Sequence, residues 1–334
     1  MEILVLDTTL KPVKILDVFD SGIWTDRYCA CGDFEIYTSL NSEMLAALQP
    51  DYYLSQKDSE HVMIVGKRNV IADVENGNQF KVTGKSLEFI LDRRIVWQQT
   101  VLTGNFQNGV QKLLNDAIIN PVDPDRKIAN FIFEVSTDPV IMALTVDAQF
   151  TRTNLYETVQ KLCSANNIGF QVTLSATNQF VFKLYTGKDR SYDQITNPFV
   201  VFAPKNDNII SSNYSETKET LKTVTVVAGE EQGLNRKATV VGGGAGIERR
   251  ELYTDARDLS QTVDNVAMSD AAYIAQLAQR GNEALNDYII ENAFDGQVTA
   301  TNQYVYGRDF FMGDIVQIDS GYGIKSTSRV TELI

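Results

Sequence analysis

Histidine is nearly absent from this 334-residue chain: the single one, His61, stands in the apolar stretch EHVMIV. A Ser/His/Asp or Cys/His mechanism would have to recruit it, and nothing around it resembles a nucleophile elbow or a catalytic cysteine motif. Cysteine is also scarce. Cys29, Cys31 and Cys163 are odd in number, and the first two are too close to bridge comfortably within a strand. That argues against a disulfide framework and for three free thiols. A zinc site at Cys29-Ala30-Cys31 lacks the two further nitrogen or sulfur ligands that a structural site needs, so no metal or cofactor is expected. No apolar run approaches the roughly 18 residues of a spanning helix, and membrane insertion by this chain is not expected. Positive charge is short as well, with 30 basic against 43 acidic residues and a net charge of −13. Specific nucleic-acid binding is therefore not expected, because a phosphate grip needs clustered cations. The same acidity suits an ordinary soluble surface or a conduit that DNA must traverse without sticking.

What is present is the composition of a folded protein, 43% apolar, 22% charged and 10% aromatic, with no low-complexity tract. The length predicts two or three domains. The N-terminus, MEILVLDTTLKPVKILDVF, opens on an acidic residue and lacks a basic region followed by a cleavage site, so it does not read as a signal peptide. Synthesis in a cytoplasm is expected.

Along the chain, EILVL, VKILDVF and the alternating stretch from Trp24 to Leu40 read as strands. In the last of these, Tyr28, Ala30, Phe34 and Ile36 share one face, while Arg27, Cys29, Cys31, Asp33 and Glu35 share the other, more polar one. A short helix capped by Asn41 or Ser42 turns Met44, Leu45 and Leu48 inward and ends before Pro50. HVMIV begins another strand, and NVIADVENGNQFKVTG reads as a hairpin turning at Asn76-Gly77. GKSLEFILDRRIVW turns briefly helical. NFQNGVQKLLNDAIINP places Val110, Leu113, Leu114, Ala117 and Ile118 on one helical face, stopped by Pro121. After the strand FIFEV, the helix NLYETVQKLCSANN turns Leu155, Val159, Leu162 and Cys163 to one side, which makes Cys163 a core residue. GFQVTL and QFVFKLY are strands. From about 197 come the strands PFVVF, NIISSNY, KTVTVVAG, KATVV and GIERRELYT. A helix over about 269–290 follows, with Ser269 as N-cap and a stripe of Ile274, Leu277, Gly281, Leu285 and Tyr288. Alternating strands with a Gly321 to Gly323 turn close the chain, which stops on apolar residues like a segment of a longer protein.

These elements predict an α+β, β-rich multi-domain protein. The expected units are a β-rich domain over 1–103, an inserted α+β unit over 104–190, and a second β-rich domain over 191–334 that carries the long helix.

Few constellations carry chemistry. The run VVGGGAGIERR lacks the Lys-Ser or Lys-Thr and the following helix of a phosphate loop, and reads instead as glycines at a strand turn. Arg93-Arg94 beside Asp92, and Arg249-Arg250 between Glu248 and Glu251, read as solvated salt bridges or inter-subunit contacts. Trp24 and Trp97, the only tryptophans, lie in apolar contexts that imply burial or an interface. No catalytic, cofactor-binding or metal-binding residue is singled out.

GKSLEFILDRRIVW, VVGGGAGIERRELY, the helix DAAYIAQLAQRGNEALNDYI and YGRDFFMGDIVQIDSGYGIKSTSRVTELI together resemble the siphophage tail hub family. These are the N-terminal regions of tail-associated lysins, similar in fold to baseplate hubs of contractile-tailed phages. The resemblance spans the chain, with the motifs in the family's order. It implies two small β-barrel-like tube domains per chain, decorated by the α+β insertion and the helix, and a homotrimer forming a pseudo-sixfold ring that caps or continues the tail tube. It further implies DNA passing through that ring, and a place at the virion tail tip after synthesis in the bacterial host. The implied partners are the distal tail protein ring, the tape measure protein and a tail fibre or lysin module. The resemblance implies a structural protein and not an enzyme, with any cell-wall hydrolysis lying in a separate protein or a removed segment. Two other readings stay open: a tail-tip adhesin or carbohydrate-binding module, which would expose tryptophans, and an enzyme, which would gather titratable groups in a deep pocket.

Overall fold

The computed structural model describes residues 2–57, 59–73, 77–209, 211–263, 266–289, 291–297, 303–319, 323 and 325–334. The N-terminal strands are β1 (Ile3–Leu6), β2 (Pro12–Leu16), β3 (Ser21–Arg27), β4 (Asp33–Ser39), β5 (Tyr53–Gln56), β6 (Val62–Asp73) and β7 (Gly77–Ser86), with helix α1 (Ser42–Ala47) between β4 and β5. They form one sheet in the order β2-β1-β5-β6-β7-β4-β3. The period-two alternation of β6 separates its neighbours: Met63 and Val65 enter a core with Ile3, Val5, Trp24, Phe34, Ile36, Phe80 and Val82, whereas Val62 and Ile64 face a second core. Met44, Leu45 and Leu48 cover the first core, as the sequence predicts, and Asn41 caps α1 by accepting from the Met44 amide at 2.8 Å.

One expectation fails here. The stretch from Trp24 to Leu40 is not one strand but a hairpin, in which β3 and β4 pair antiparallel with Trp24 opposite Phe34 and Thr25 opposite Asp33. The chain reverses over residues 28–32. Gly32 makes the reversal possible, since a Cβ there would stand 2.1 Å from the Thr25 carbonyl oxygen. Cys29 and Cys31 therefore do not lie side by side on a polar face: Cys31 is buried in the second core and Cys29 is half-buried. The expected pairing of β6 with β7 is present, while the turn between them, including Asn76, lies outside the described residues.

A 3₁₀ turn (Leu87–Arg93) leads to β8 (Thr100–Asn105), α2 (Phe106–Leu114) with a π turn over Asn115–Ile119, β9 (Phe131–Glu134), α3 (Pro139–Ala143), β10 (Thr145–Phe150), α4 (Leu155–Ala165), β11 (Gly169–Leu174) and β12 (Phe180–Tyr185). β8 pairs with β10, and β12 pairs antiparallel with β11 and parallel with β9. Val110, Leu113, Leu114, Ala117 and Ile118 are buried as their spacing predicts, and so are Leu155, Val159, Leu162 and Cys163. Through this second core runs an aromatic chain of Phe133, Phe182, Phe170, Tyr156 and Phe89, with successive centroids 5.6, 6.0, 6.2 and 6.0 Å apart. The same core takes in Val62 and Ile64 of β6 and so joins the helical segment to the first sheet.

The C-terminal strands are β13 (Val201–Phe202), β14 (Ser211–Thr217), β15 (Val224–Ala228), β16 (Ala238–Gly242), β17 (Glu251–Asp255), β18 (Thr262–Val263), β19 (Val266–Ala267), β20 (Glu291–Gln297), β21 (Ile315–Asp319), β22 (Lys325–Arg329) and β23 (Glu332–Leu333); helix α5 (Asp270–Asn286) lies between β19 and β20. α5 is capped by Ser269 and packs on the sheet β16-β15-β17 through Tyr273, Leu277 and Gly281, ending short of the predicted Ile290, which lies outside the described residues. The stretch predicted as the strand GIERRELYT begins with a 3₁₀ turn (Gly246–Glu248), and its extended part is β17 alone. β23 returns to pair with β3, placing Glu332 opposite Arg27 and adding an eighth strand to the first sheet. The Gly321 to Gly323 turn falls largely outside the described residues. The protein is thus α+β and strand-rich, with several sheets, and among the described residues none of them closes on itself.

Candidate functional site

His61 is the natural starting point for chemistry. It sits just before β6, and its backbone bridges to Thr173 of β11. Its Nδ1 lies 3.8 Å from Asp26 Oδ1 of β3 and 4.0 Å from Glu88 Oε1 of the 3₁₀ turn, while its Nε2 is 3.3 Å from the Gln171 amide. Glu88, 2% exposed, accepts the Val172 amide at 2.7 Å, so it fastens β11 to the 3₁₀ turn. Asp26 Oδ1 has no hydrogen-bond partner among the described residues, and burial raises its carboxyl pKa against the opposing pull of His61. Burial, then the Asp26 charge, pushes the Tyr306 phenol up to about 12. With side chains 12%, 10% and 2% exposed, His61, Asp26 and Glu88 form a largely buried cluster where the first sheet meets the 3₁₀ turn and β11.

Two of the three thiols are buried and Cys29 is half-buried. Cys163 is fully buried on α4 and its pKa lies well above the ordinary value through desolvation, while burial pushes Cys29 up to about 11 and raises Cys31. Protonated thiols in apolar surroundings are poor nucleophiles and poor metal ligands. Among the described residues no group of three or more His, Cys, Asp or Glu is arranged to hold a metal ion, and no helix is long and apolar enough to cross a membrane.

The paired arginines separate in role. Arg93 reaches Asp51 at 2.5 Å and Arg249 reaches Glu251 at 2.6 Å, both as exposed ion pairs, whereas Arg94 and Arg250 donate to backbone carbonyls of Arg126 and Lys218. The glycine run leaves β16 through Gly242, Gly244 and Gly246, all at positive φ, and passes into a 3₁₀ turn and β17. Its amides therefore open no α-helix, which is the geometry a phosphate loop requires.

Exposed apolar surface is the more informative feature. Val226 of β15 pairs in register with Val240 of β16 and with Tyr253 of β17, and all three side chains are exposed. They form a row across the sheet on the face opposite α5. A second feature is the loop from Lys188 to Phe199. Buried Arg190 holds Asp314 at 2.5 Å, and Gln194 accepts the amides of Thr196 and Asn197, each at 2.7 Å, while donating to the Ser191 and Asn197 carbonyls. This brace presents Tyr192, Phe199 and the 95% exposed Ile195 to solvent. Rigid apolar display of this kind marks contact surfaces.

Trp24 is buried as predicted, at 8% exposure, but Trp97 is 57% exposed. The Arg126 guanidinium lies 4.7 Å from its ring centroid, and the ring edges a cleft of about 500 Å³ between the segment leading into β8, α2 with its π turn, and the loop from Asn120 to Arg126. Neither the apolar neighbours of Trp97 in sequence nor its spacing signals this exposure.

The sequence profile of the siphovirus ReqiPepy6 Gp37-like proteins matches residues 2–334. The chain belongs to that family. Its resemblance to siphophage tail proteins, read from four motifs in order, is thereby borne out. Three solved structures share the fold over 99% of this chain. They are prophage tail protein gp18 from Listeria monocytogenes EGD-e (15% identity, 89% of that chain, TM-score 0.57), the tail protein from Neisseria meningitidis MC58 (12%, 90%, 0.57) and the 43 kDa tail protein of prophage MuSo2 from Shewanella oneidensis (11%, 93%, 0.58). No curated protein is significantly similar in sequence. The architecture of this family member is thus a phage tail protein fold, which supports a structural role in the virion tail.

Proposed function

We propose that this chain is the hub of a phage tail tip: a homotrimeric ring that caps or continues the tail tube and through which DNA passes. The observation that carries the reading is the match of the whole chain, not of one domain, to a siphophage family and to prophage tail proteins. The exposed row of Val226, Val240 and Tyr253 and the braced loop of Tyr192, Ile195 and Phe199 supply apolar surface for packing between copies or against a neighbouring ring. In this reading the regions 1–103 and 191–334 form the tube domains, and 104–190 is the inserted unit. The distal tail protein ring, the tape measure protein and a tail fibre or lysin module are the partners. A net charge of −13 suits a lumen that repels phosphate. The protein acts by assembly and not by catalysis, with the thiols and the His61 cluster serving the fold.

Negative-stain imaging of the purified chain at high concentration, with sedimentation in parallel, tests the reading. Three-lobed rings with a central hole and a mass of three chains are expected. Compact monomers at every concentration, alone and when mixed with the distal tail protein, would sink it.

A further inference from the structure

We propose that the cleft beside Trp97 binds a neutral saccharide. Three features of its wall converge on that ligand class, and none depends on ring formation.

The first is the aromatic platform. The Arg126 guanidinium, tied to the Ile95 carbonyl at 2.7 Å, lies over one face of the indole at 4.7 Å from its centroid, and the ring is still 57% exposed, which leaves its other face as an apolar plane for a ligand. The C–H faces of a pyranose are apolar and flat, and they pack on such a plane while the hydroxyls stay at the rim.

The second is a set of planar polar groups with spare hydrogen-bonding capacity around that platform. Gln98 and Gln99 make no side-chain hydrogen bond among the described residues. Asn120 spends its amide nitrogen on Asn115 and keeps its oxygen, and Asp123 uses one oxygen to accept the Asp125 amide at 3.1 Å. Amides and carboxylates of this kind meet vicinal hydroxyl pairs, which donate and accept at once.

The third is charge. Lys112 and Asp116 neutralise each other at 2.6 Å, and the remaining ionic groups of the wall, Arg126 and Asp123, are opposite in sign. The wall therefore sums to zero in a protein of net charge −13. A nucleic-acid strand would need an excess of cations that this cleft lacks. Its volume of about 500 Å³ lies within the usual range for small-molecule sites, roughly 300–1,000 Å³.

The chain contains its own reporter, since of its two tryptophans only Trp97 faces solvent. Intact protein is titrated with glucose, galactose, rhamnose and N-acetylglucosamine, following tryptophan emission and, in parallel, saturation-transfer NMR of each sugar. At least one sugar is expected to saturate both signals, with a Kd on the order of 1 mM, as befits few contacts in an open cleft. The double variant Gln98→Ala/Asn120→Ala, altered at polar positions of the wall, is expected to weaken that binding about tenfold at an unchanged melting temperature. Trp97→Ala is expected to abolish the saturation transfer. Overturning results are the absence of a saturable signal for every sugar by both methods, transfer that survives Trp97→Ala, or binding of a ten-nucleotide thymidine strand where the sugars fail.

Discussion

Asp26 is the residue whose environment makes the sharpest statement about pH. Burial raises its carboxyl pKa, His61 at 3.8 Å pulls the other way, and Glu88 adds to the rise. Tyr306, the remaining titratable group coupled to it, stays neutral far above physiological pH. A carboxyl whose folded pKa exceeds its unfolded value of about 3.9 holds its proton more tightly in the folded chain. Its contribution is then fully present below about pH 3.9 and declines as pH rises through the folded value. Asp26→Asn cannot ionise and escapes that decline. The stability of the variant relative to the native chain, from urea midpoints, is therefore expected to increase from about pH 4 to about pH 7. A relative stability that falls with pH would mean that His61 holds Asp26 ionised and that the pair stabilises the seam. None of this cluster was legible in the sequence, because β3, the start of β6, the 3₁₀ turn and β11 meet only after the sheet has formed. The cysteine pair misled for a related reason: the period-two alternation runs unbroken through residues 28–32, and only Gly32, with the Thr25 carbonyl pressed against it, betrays the reversal.

The helices were the legible elements. Each long one has a 3.6-residue apolar stripe and a side-chain cap in sequence: Asn105 before α2, Asn154 before α4 and Ser269 before α5, each accepting an amide of the first turn. α3 was missed because five residues hold too little periodicity to register, although Asp138 followed by Pro139 is a helix-start signal. Gly281 in α5 reads two ways. By propensity alone, Gly281→Ala should stabilise an interior helical position by roughly 0.5–1 kcal/mol. The packing reverses that sign, since a Cβ there would stand 2.7 Å from Cγ2 of both Val227 and Val241, and β-branched side chains have no free rotamer into which to retreat. α5 must then lift from the sheet beneath it. Gly281→Ala is expected to destabilise by about 1–3 kcal/mol, the range for overpacking, read as a lowered urea midpoint. A raised midpoint would show that the contact between helix and sheet is loose enough to absorb a methyl group.

For the whole molecule, the balance between charge and apolar surface decides how copies would meet in the ring proposed above. Each chain carries −13, so bringing copies into a ring costs electrostatic work that exposed apolar contacts must offset. Val226, Val240 and Tyr253 in one row, and Tyr192, Ile195 and Phe199 on a braced loop, offer such contacts without needing to reorganise. The two terms respond oppositely to salt. Raising the ionic strength from about 0.1 M to about 1 M shrinks the screening length from about 10 Å to about 3 Å. Repulsion between copies fades over that range, while apolar association, if a sulfate salt is used, strengthens. The assembled fraction measured by sedimentation is therefore expected to rise with salt, and Val240→Asp together with Ile195→Asp, both at exposed positions, is expected to abolish the rise while leaving the melting temperature of the monomer unchanged. Assembly that instead weakens with salt would assign the interface to ion pairs such as Arg249 with Glu251, recruited between copies, and would remove the apolar row and loop from it.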